Sequence, residues 1–315
     1  MNSSNILLGP GYATWNSGNF RFGDGGIKAK FVKNLRDVTA EEFGRFDSVQ
    51  TDRMIKVTGK LWSGWENISL ILPSAALSPT IGGKLFGVAN LGLVINGQDG
   101  SRLTVVNAQI TKLANLELSV EKDLWSADIE FTGLLKAGNT PDQSGSYYTY
   151  SLSNSYTAPS FSKTNFRAPI LTAAWAGTLV NSGTSFASFY FRKGVAIDWK
   201  WVLDFEPCFI DGLGTVDAVT TGFEATAKGT PIGALEVDTA SAMLPAQALG
   251  LLEGTNGAGD LTLTFGSNSV VLKQAFISEN DGFAWARKNN RIGDLTWRTT
   301  VPFTTGAPTA RVTTS

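Results

Sequence analysis

The stretch GRFDSVQT at residues 44–51 is repeated as GTVDAVTT at residues 214–221, at an offset of 170 residues. The surrounding segments, 27–60 and 197–230, align without a gap and share more identical residues than chance allows. The identical pairs are Ile27/Ile197, Lys30/Lys200, Val32/Val202, Gly44/Gly214, Asp47/Asp217, Val49/Val219, Thr51/Thr221 and Gly59/Gly229. At nearly the same offset, Trp125, Ile129 and Phe131 align with Trp297, Val301 and Phe303. The chain is therefore predicted to contain two copies of one domain.

The two copies divide the 315 residues into four parts. The predicted parts are a first β domain at 1–136, a linker rich in Ser, Thr and Tyr at 137–168, a second β domain at 169–303 and a mobile C-terminal tail at 304–315. Each domain has a size at which one hydrophobic core forms readily. The linker contains few aliphatic residues and is not expected to form a core of its own.

Apolar and polar residues alternate along both copies. Leu116 and Leu118 alternate with glutamate and serine, Ala127, Ile129 and Phe131 alternate with polar residues, and Leu261, Leu263 and Phe265 alternate with threonines. A period of two residues predicts antiparallel strands with one buried face. The sequence therefore predicts a mainly β fold, built as two tandem β-sandwich or half-barrel domains. Each domain is expected to carry one short helix, at 73–77 and at 238–254.

Charge is low and balanced. There are 26 basic and 27 acidic residues, so the net charge is -1. This composition lacks the excess of positive charge with which nucleic-acid-wrapping proteins neutralise phosphates. Charged residues make up only 17 % of the chain, which predicts that much of its surface is covered by other molecules.

Histidine is absent, and Cys208 is the only cysteine. Serine or cysteine nucleophiles activated by histidine are therefore excluded, as are histidine-ligated zinc sites and internal disulfides. We expect no enzyme activity, no cofactor and no metal. A carboxylate pair drawn from Asp204, Glu206 and Asp211 remains as a residual glycosidase hypothesis.

The first residues, MNSSNILLGPGYATW, do not combine a basic segment with an apolar one, and no segment approaches 18 uninterrupted apolar residues. These features predict cytoplasmic synthesis and no membrane partner.

Nine tryptophans are present, among them Trp62, Trp65, Trp199 and Trp201. Packing in the core or at a subunit interface is the main interpretation. A sugar-stacking platform, and hence a two-domain carbohydrate-binding module, is the alternative.

Asp47 and Asp217 stand at the same place in both copies, with a threonine four residues later. This pattern is typical of an aspartate that fixes a loop-to-strand junction by accepting hydrogen bonds from backbone N–H groups.

A long loop is expected between two early strands in each copy, at KNLRDVTAEEFGRFDSVQTDR (33–53) and at LDFEPCFIDGLGTVDAVTTGF (203–223). In this respect, and in its tandem β-rich domains with one short helix each, the chain resembles the tail tube proteins of long-tailed bacteriophages. The resemblance covers nearly the whole chain but rests on architecture and composition, because the family has no short diagnostic motif.

The resemblance implies a structural subunit of the virion tail, assembled in the host cytoplasm. Single-domain members of the family form hexameric rings that stack into a tube conducting DNA. A doubled chain implies a trimer with pseudo-sixfold symmetry and an inner β-barrel. The implied partners are other copies of the chain, other tail proteins and DNA that passes without specific binding. A distal tail or tail-tip ring protein is the related alternative.

Two sets of residues follow from this resemblance. The segments at 33–53 and 203–223 are expected to make contacts between stacked rings through Arg36, Asp37, Glu41, Glu42, Arg45, Asp204, Glu206 and Asp211. An acidic or neutral channel wall would pass DNA without holding it. The expected wall residues are Glu117, Glu121, Asp128 and Glu130.

Overall fold

The structure is a computed structural model. It describes residues 5–8, 11–42, 44–63, 67–72, 82–86, 91–118, 125–136, 138–141, 144–152, 155, 171–178, 185–232, 258–265, 268–281, 283–284, 291–299 and 312–314.

The strands of the first half are β1 (Asn5–Leu8), β2 (Gly11–Trp15), β3 (Gly18–Ala40), β4 (Gly44–Ser63), β5 (Leu93–Gly97), β6 (Arg102–Val105), β7 (Ala108–Leu118), β8 (Trp125–Gly133) and β9 (Tyr148–Ser151). A short helix, α1 (Ile68–Ile71), follows β4.

The strands of the second half are β10 (Leu171–Thr178), β11 (Ser185–Phe191), β12 (Val195–Asp204), β13 (Phe209–Ile210), β14 (Gly214–Thr215), β15 (Val219–Gly229), β16 (Pro231–Ile232), β17 (Gly259–Phe265), β18 (Asn268–Asn280), β19 (Phe283–Ala284), β20 (Arg291–Ile292), β21 (Leu295–Thr299) and β22 (Val312–Thr314). A 3-10 turn at Glu206–Cys208 follows β12.

The prediction of a mainly β fold is confirmed: most of the described residues lie in strands, and most strands belong to one antiparallel sheet. The alternation seen in the sequence corresponds to burial, because Leu116, Leu118, Ile129 and Phe131 all point into the core. Both segments expected to be helical, 73–77 and 238–254, lie outside the described residues, and α1 begins five residues before the first of them.

The two halves repeat one pattern of strand pairing. In the first half, β2 pairs with β3 and β5, β4 with β3 and β8, β8 also with β7, and β6 with β5 and β9. In the second half, β10 pairs with β11 and β17, β15 with β12 and β21, β21 also with β18, and β18 with β17 and β22. One long strand, β18, thus takes the places of both β6 and β7.

Three of the four identical residues of the repeated octapeptide, the glycine, the aspartate and the last threonine, share a local feature in both halves. Gly44 and Gly214 have φ values of 65° and 78°, which glycine adopts without strain. The Asp47 and Asp217 carboxylates each accept a hydrogen bond from the next N–H, at 2.7 and 2.8 Å.

The threonines of the octapeptide also match. Thr51 Oγ1 donates to the Asn34 carbonyl, and Thr221 Oγ1 donates to the Val202 carbonyl, at 3.3 and 3.1 Å. Both threonines are the extra residue of a β-bulge, since the pairing shifts beside each of them.

These contacts correct the alignment of the flanking strands. The bulges make Asn34 equivalent to Val202, so Ile27 corresponds to Val195 and not to Ile197. Because a shift of two residues keeps every side chain on its face, an alternating sequence tolerates this slip.

A further correction concerns the last aligned strand. Phe131 pairs with Val57 and Trp297 with Ala227, so Trp297 occupies the place of Phe131 and not that of Trp125. Val301 and Phe303 lie outside the described residues.

An indole hydrogen bond is repeated at the centre of each half. Trp15 Nε1 donates to the Ala108 carbonyl at 2.9 Å, and Trp175 Nε1 donates to the Ala275 carbonyl at 2.8 Å. Both rings are buried. The bonds tie β2 to β7 and β10 to β18, and neither pair of strands forms a ladder.

The segments expected to be a linker and a tail each contribute a strand. β9 lies within 137–168 and pairs with β6, whereas β22 lies within 304–315 and pairs with β18. Val105 pairs with Tyr148, and its counterpart Leu272 pairs with Val312. The two segments therefore have equivalent positions in the two halves.

The halves are joined by antiparallel pairing between β7 and β12. Leu118 lies opposite Val195, and Leu116 opposite Ile197, with all four side chains buried. The resulting band runs β3–β4–β8–β7–β12–β15–β21–β18, with four strands from each half. One continuous hydrophobic core lies beneath it.

We predict that Trp15→Phe and Trp175→Phe destabilise the protein to a similar extent. Each change keeps an aromatic ring but leaves a buried carbonyl without its donor, which costs about 1–3 kcal/mol. Urea denaturation followed by circular dichroism would measure the loss. Wild-type stability in either variant would contradict the equivalence of the two bonds.

Candidate functional site

The sheet exposes three features outside the core: a projecting hairpin, a folded-back segment beside its base, and a charged face on the β3–β18 band. The hairpin is the distal part of β3 and β4, residues 33–51. The sequence was expected to form a loop here. Instead, β3 continues to Ala40 and β4 begins at Gly44. The two strands are paired as far as Ala40 and Gly44, which flank the turn.

Both faces of this hairpin are exposed. Leu35 lies opposite Gln50 and Val49 lies opposite Arg36, so the two apolar side chains are on different faces. Their exposed fractions are 58 % and 55 %. A two-stranded ribbon is at best marginally stable alone in water, and this one extends beyond the core with an apolar residue on each side.

The hairpin tip carries the first set of charged residues expected from the sequence. Arg36, Asp37, Glu41, Glu42 and Arg45 are all exposed. Arg45 forms an ion pair with Asp37 at 3.1 Å, and Ser48 Oγ donates to the same Asp37 carboxylate at 2.9 Å. Because all these groups are solvated, the pair contributes little to stability.

The counterpart segment, 203–223, has a different shape. It turns through the 3-10 helix and the small β13–β14 hairpin before β15 begins. Asp204 is half-buried and accepts from the Glu206 N–H at 3.1 Å, whereas Glu206 and Asp211 are exposed. Phe209 and Ile210 lie between them with exposed fractions of 44 % and 46 %.

Asp217 anchors this segment to the first half. Its Oδ1 accepts from the N–H groups of Ala218 and Phe86, both at 2.8 Å. The side chain is buried, whereas the equivalent Asp47 is exposed and accepts from Ser48. The two equivalent aspartates thus share a local bond, but only Asp217 also bridges the halves.

Asp52 makes a second bridge, which the sequence analysis missed. Its carboxylate accepts from the Thr215 N–H at 2.9 Å and from Thr215 Oγ1 at 2.8 Å. Gly214 lies so close that a Cβ there would come within 2.9 Å of Asp52 Oδ1. The repeat gave no signal for this contact, since Asp52 aligns with Gly222.

The charged face lies on the side of the band opposite the core. The carboxylates on it are Glu117, Asp128, Glu130, Asp198, Glu224 and Glu279, and the basic residues are Arg21, Lys28, Lys30, Lys56, Lys60, Lys112, Lys200, Lys228 and Arg298. Lys56 pairs with Glu130 at 3.2 Å, and Lys200 pairs with Glu224 at 3.0 Å.

Three of the expected channel residues, Glu117, Asp128 and Glu130, therefore lie on one face, and Glu121 lies outside the described residues. The face is nevertheless not acidic. Neighbouring strands place lysines beside these carboxylates, and a reading of one strand at a time does not reveal those neighbours. An open concavity of about 560 Å³ lies on this face over β3, β4, β7 and β8.

Asn115 lies on the charged face at the place where the two halves meet. Its φ of 53° belongs to a bulge in the β7–β12 pairing. The Asn115 N–H donates to Asp198 at 2.6 Å, and its side-chain amide donates to Asp128 at 2.7 Å. One residue thus connects carboxylates from both halves.

The tryptophans of β12 belong to the core. Trp199 is buried and donates from Nε1 to the Ile71 carbonyl at 3.2 Å, and Trp201 packs against Trp199 and Phe223. The cavity beside them measures about 20 Å³, which holds no more than a water molecule. Trp62 is half-buried, and Trp65 lies outside the described residues.

No protein-family model matches this chain, and no curated protein matches it at a significant level. Within the part of the chain that the structure describes, no helix has the length and apolar character needed to cross a membrane. In the same residues, no three Cys, Asp or Glu side chains converge as metal ligands would.

We predict that Asp52→Ala lowers the free energy of unfolding by about 2–3 kcal/mol, since it removes charge-assisted bonds to a buried N–H and hydroxyl. Asp47→Ala is the matched control, because its carboxylate is exposed and bonds only within its own strand; it should cost about 0.5 kcal/mol or less. Chemical denaturation of both variants would test this difference. Equal losses would show that the Asp52 bridge contributes no more to stability than the local bond of Asp47.

Cys208 provides a test of the folded-back segment. It is buried, and burial raises the pKa of its thiol, with the Asp217 carboxylate adding to the rise. At pH values between the unfolded and folded pKa, the folded protein therefore keeps the thiol protonated, while the unfolded chain forms thiolate. We predict slow alkylation by iodoacetamide in native protein and fast alkylation in denaturant, measured by mass spectrometry. Equal rates would mean that the segment opens freely.

Proposed function

We propose that this chain is a structural subunit of a bacteriophage tail tube, in which three chains close into a ring with six similar units. The proposal rests mainly on the β7–β12 pairing, which joins two repeats of one four-strand unit edge to edge. The same joint made between chains would extend the band and, with suitable curvature, close it.

The dimensions of the band support closure around a duplex. Three chains would contribute about two dozen strands to one barrel. With strands about 4.8 Å apart and tilted by about 40°, such a barrel has a backbone diameter of about 48 Å. Side chains would narrow it to a channel still wide enough for double-stranded DNA. The open concavity on the charged face supports its placement on the inner wall of this barrel.

The charges of that face support passage of DNA more than binding. Two ion pairs, Lys56–Glu130 and Lys200–Glu224, neutralise groups that would otherwise attract or repel phosphates. Six carboxylates are spread among the basic residues, which prevents a continuous positive track of the kind that releases counterions and holds DNA. The wall is therefore mixed in sign, in contrast to the acidic or neutral wall expected from the sequence.

The projecting hairpin supports stacking of rings. Residues 33–51 leave the band with both faces exposed, and Leu35 and Val49 offer apolar contact on either side. The exposed Glu206 and Asp211, with Phe209 and Ile210, offer a second surface. Contact between these surfaces of successive rings would cover apolar side chains and bring Arg36 near carboxylates.

Electron microscopy of the purified protein tests the proposal. Stacked tubes with three chains per ring, by mass measurement, are the expected result. Single closed rings would favour a distal tail or tail-tip ring protein, and monomers that bind glycans would favour a carbohydrate-binding module.

We predict that a chain lacking Thr39–Gly44 forms rings that do not stack, because the hairpin tip is lost while the band remains. The double variant Leu35→Lys/Val49→Lys, which keeps the tip, should have the same effect. Leu152→Lys is the control, since it places the same charge at an apolar residue that is 69 % exposed elsewhere. Negative-stain images would show tube length. Tubes of normal length from both hairpin variants would exclude this hairpin from ring contacts.

A further inference from the structure

The β7–β12 pairing within the chain shows which strand edge of one repeat pairs with the neighbouring repeat. On β12, one edge pairs with β15 and the other with β7. The β7 residues that fill the second edge include Leu116, opposite Ile197, and Leu118, opposite Val195.

The equivalent edge in the first half belongs to β3. The matching bulges at Thr51 and Thr221 make Ile27 the counterpart of Val195 and Ala29 the counterpart of Ile197. Both Ile27 and Ala29 are buried, as their counterparts are.

This edge of β3 is covered by the N-terminal strand. β1 pairs antiparallel with β3, with Leu8 opposite Ile27 and Ile6 opposite Ala29. Ile6 and Leu8 therefore hold the register positions in the first half that Leu116 and Leu118 hold in the second. The sequences agree in kind, since both place aliphatic residues two apart.

The second half has its own counterpart of the β7 segment that pairs with β12. Ala275 corresponds to Ala108, since both accept from the repeated tryptophans, and Ser278 corresponds to Thr111. Thr111 and Ser278 each form the bulge on β8 or β21 and donate to the facing carbonyl, at 3.4 and 3.2 Å.

The match of Ser278 with Thr111 fixes the residues of the second half that correspond by sequence to the end of β7. Phe283 and Trp285 correspond to Leu116 and Leu118, and Gly282 corresponds to Asn115, the bulge residue with positive φ. Glycine is the residue type that adopts this conformation most easily. Phe283 lies in β19, which has a two-residue pairing with β20.

We propose that β1 is a placeholder, which the 282–285 segment of another copy of the chain displaces from β3 when the ring closes. This inference rests on the proposed ring assembly and specifies its joint. A free edge of β3 would pair with any exposed strand, so a tethered strand of four residues protects the newly made chain. The β7–β12 ladder extends from Lys112 to Leu118, so a joint of the same kind between chains would pair more residues of β3 than the four that β1 pairs.

Removal of β1 tests the proposal in one direction. A chain that begins at Gly11 should assemble at a protein concentration about tenfold lower than the full chain, which corresponds to about 1.4 kcal/mol. Sedimentation velocity and light scattering measure this midpoint. Adding Phe283→Asp to the truncated chain should abolish the gain. Assembly that persists in this double variant would be non-specific aggregation and would overturn the proposal.

A disulfide that holds β1 on β3 tests the proposal in the opposite way, because it should prevent assembly until it is reduced. Ile6→Cys and Ala29→Cys face each other across β1 and β3, at a spacing that suits a disulfide. The oxidised protein should remain monomeric, and reduction should restore assembly. Ring formation by the oxidised protein would refute the placeholder while leaving the ring function intact. Failure of the full, truncated and reduced chains alike to form rings would refute both.

Discussion

The antiparallel pairing of β7 with β12 is the interaction on which the rest of the structure depends. Without it, β7 and β12 would each have an unpaired edge, and the sheet would be divided between the halves. With it, one core and one charged face extend across both. Asp52 and Asp217 reinforce the joint from the side of the projecting hairpin, where they fasten Thr215 and Phe86 to the opposite half.

The repeat also explains where the halves differ. Each retains the bulges and the indole bond that shape its band, because these fix the register of the core. The segments beyond the band are free to diverge. In the first half that segment became a straight hairpin exposed on both faces, and in the second it folded back on the chain around the buried Cys208. Equivalent segments thus provide two different surfaces.

Sequence analysis could predict the features that depend on the alternation of apolar and polar residues and on interactions between near neighbours in the chain. The alternation at Leu116 to Phe131 identified buried faces, and the repeated Asp47 and Asp217 were identified as acceptors of local N–H bonds. It could not predict what depends on neighbouring strands. Lys56 and Lys112 flank Glu130 only after β4 and β7 have paired with β8, so the mixed charge of the face was not visible. The pairing of Asp52 with Thr215 is likewise a long-range contact without a local pattern.

The repeated side-chain bonds have a consequence for how such a repeat can diverge. Trp15, Thr51 and Thr111 and their counterparts all donate to main-chain carbonyls. Every residue type supplies a carbonyl, so the acceptor position is free to mutate: Asn34 has become Val202, and Glu130 has become Thr296. Only the donor must stay chemically similar, as Thr111 and Ser278 are. The relation between the halves is therefore kept by the hydroxyl and indole donors, while two of the three acceptor residues have changed type and only the alanines Ala108 and Ala275 still match.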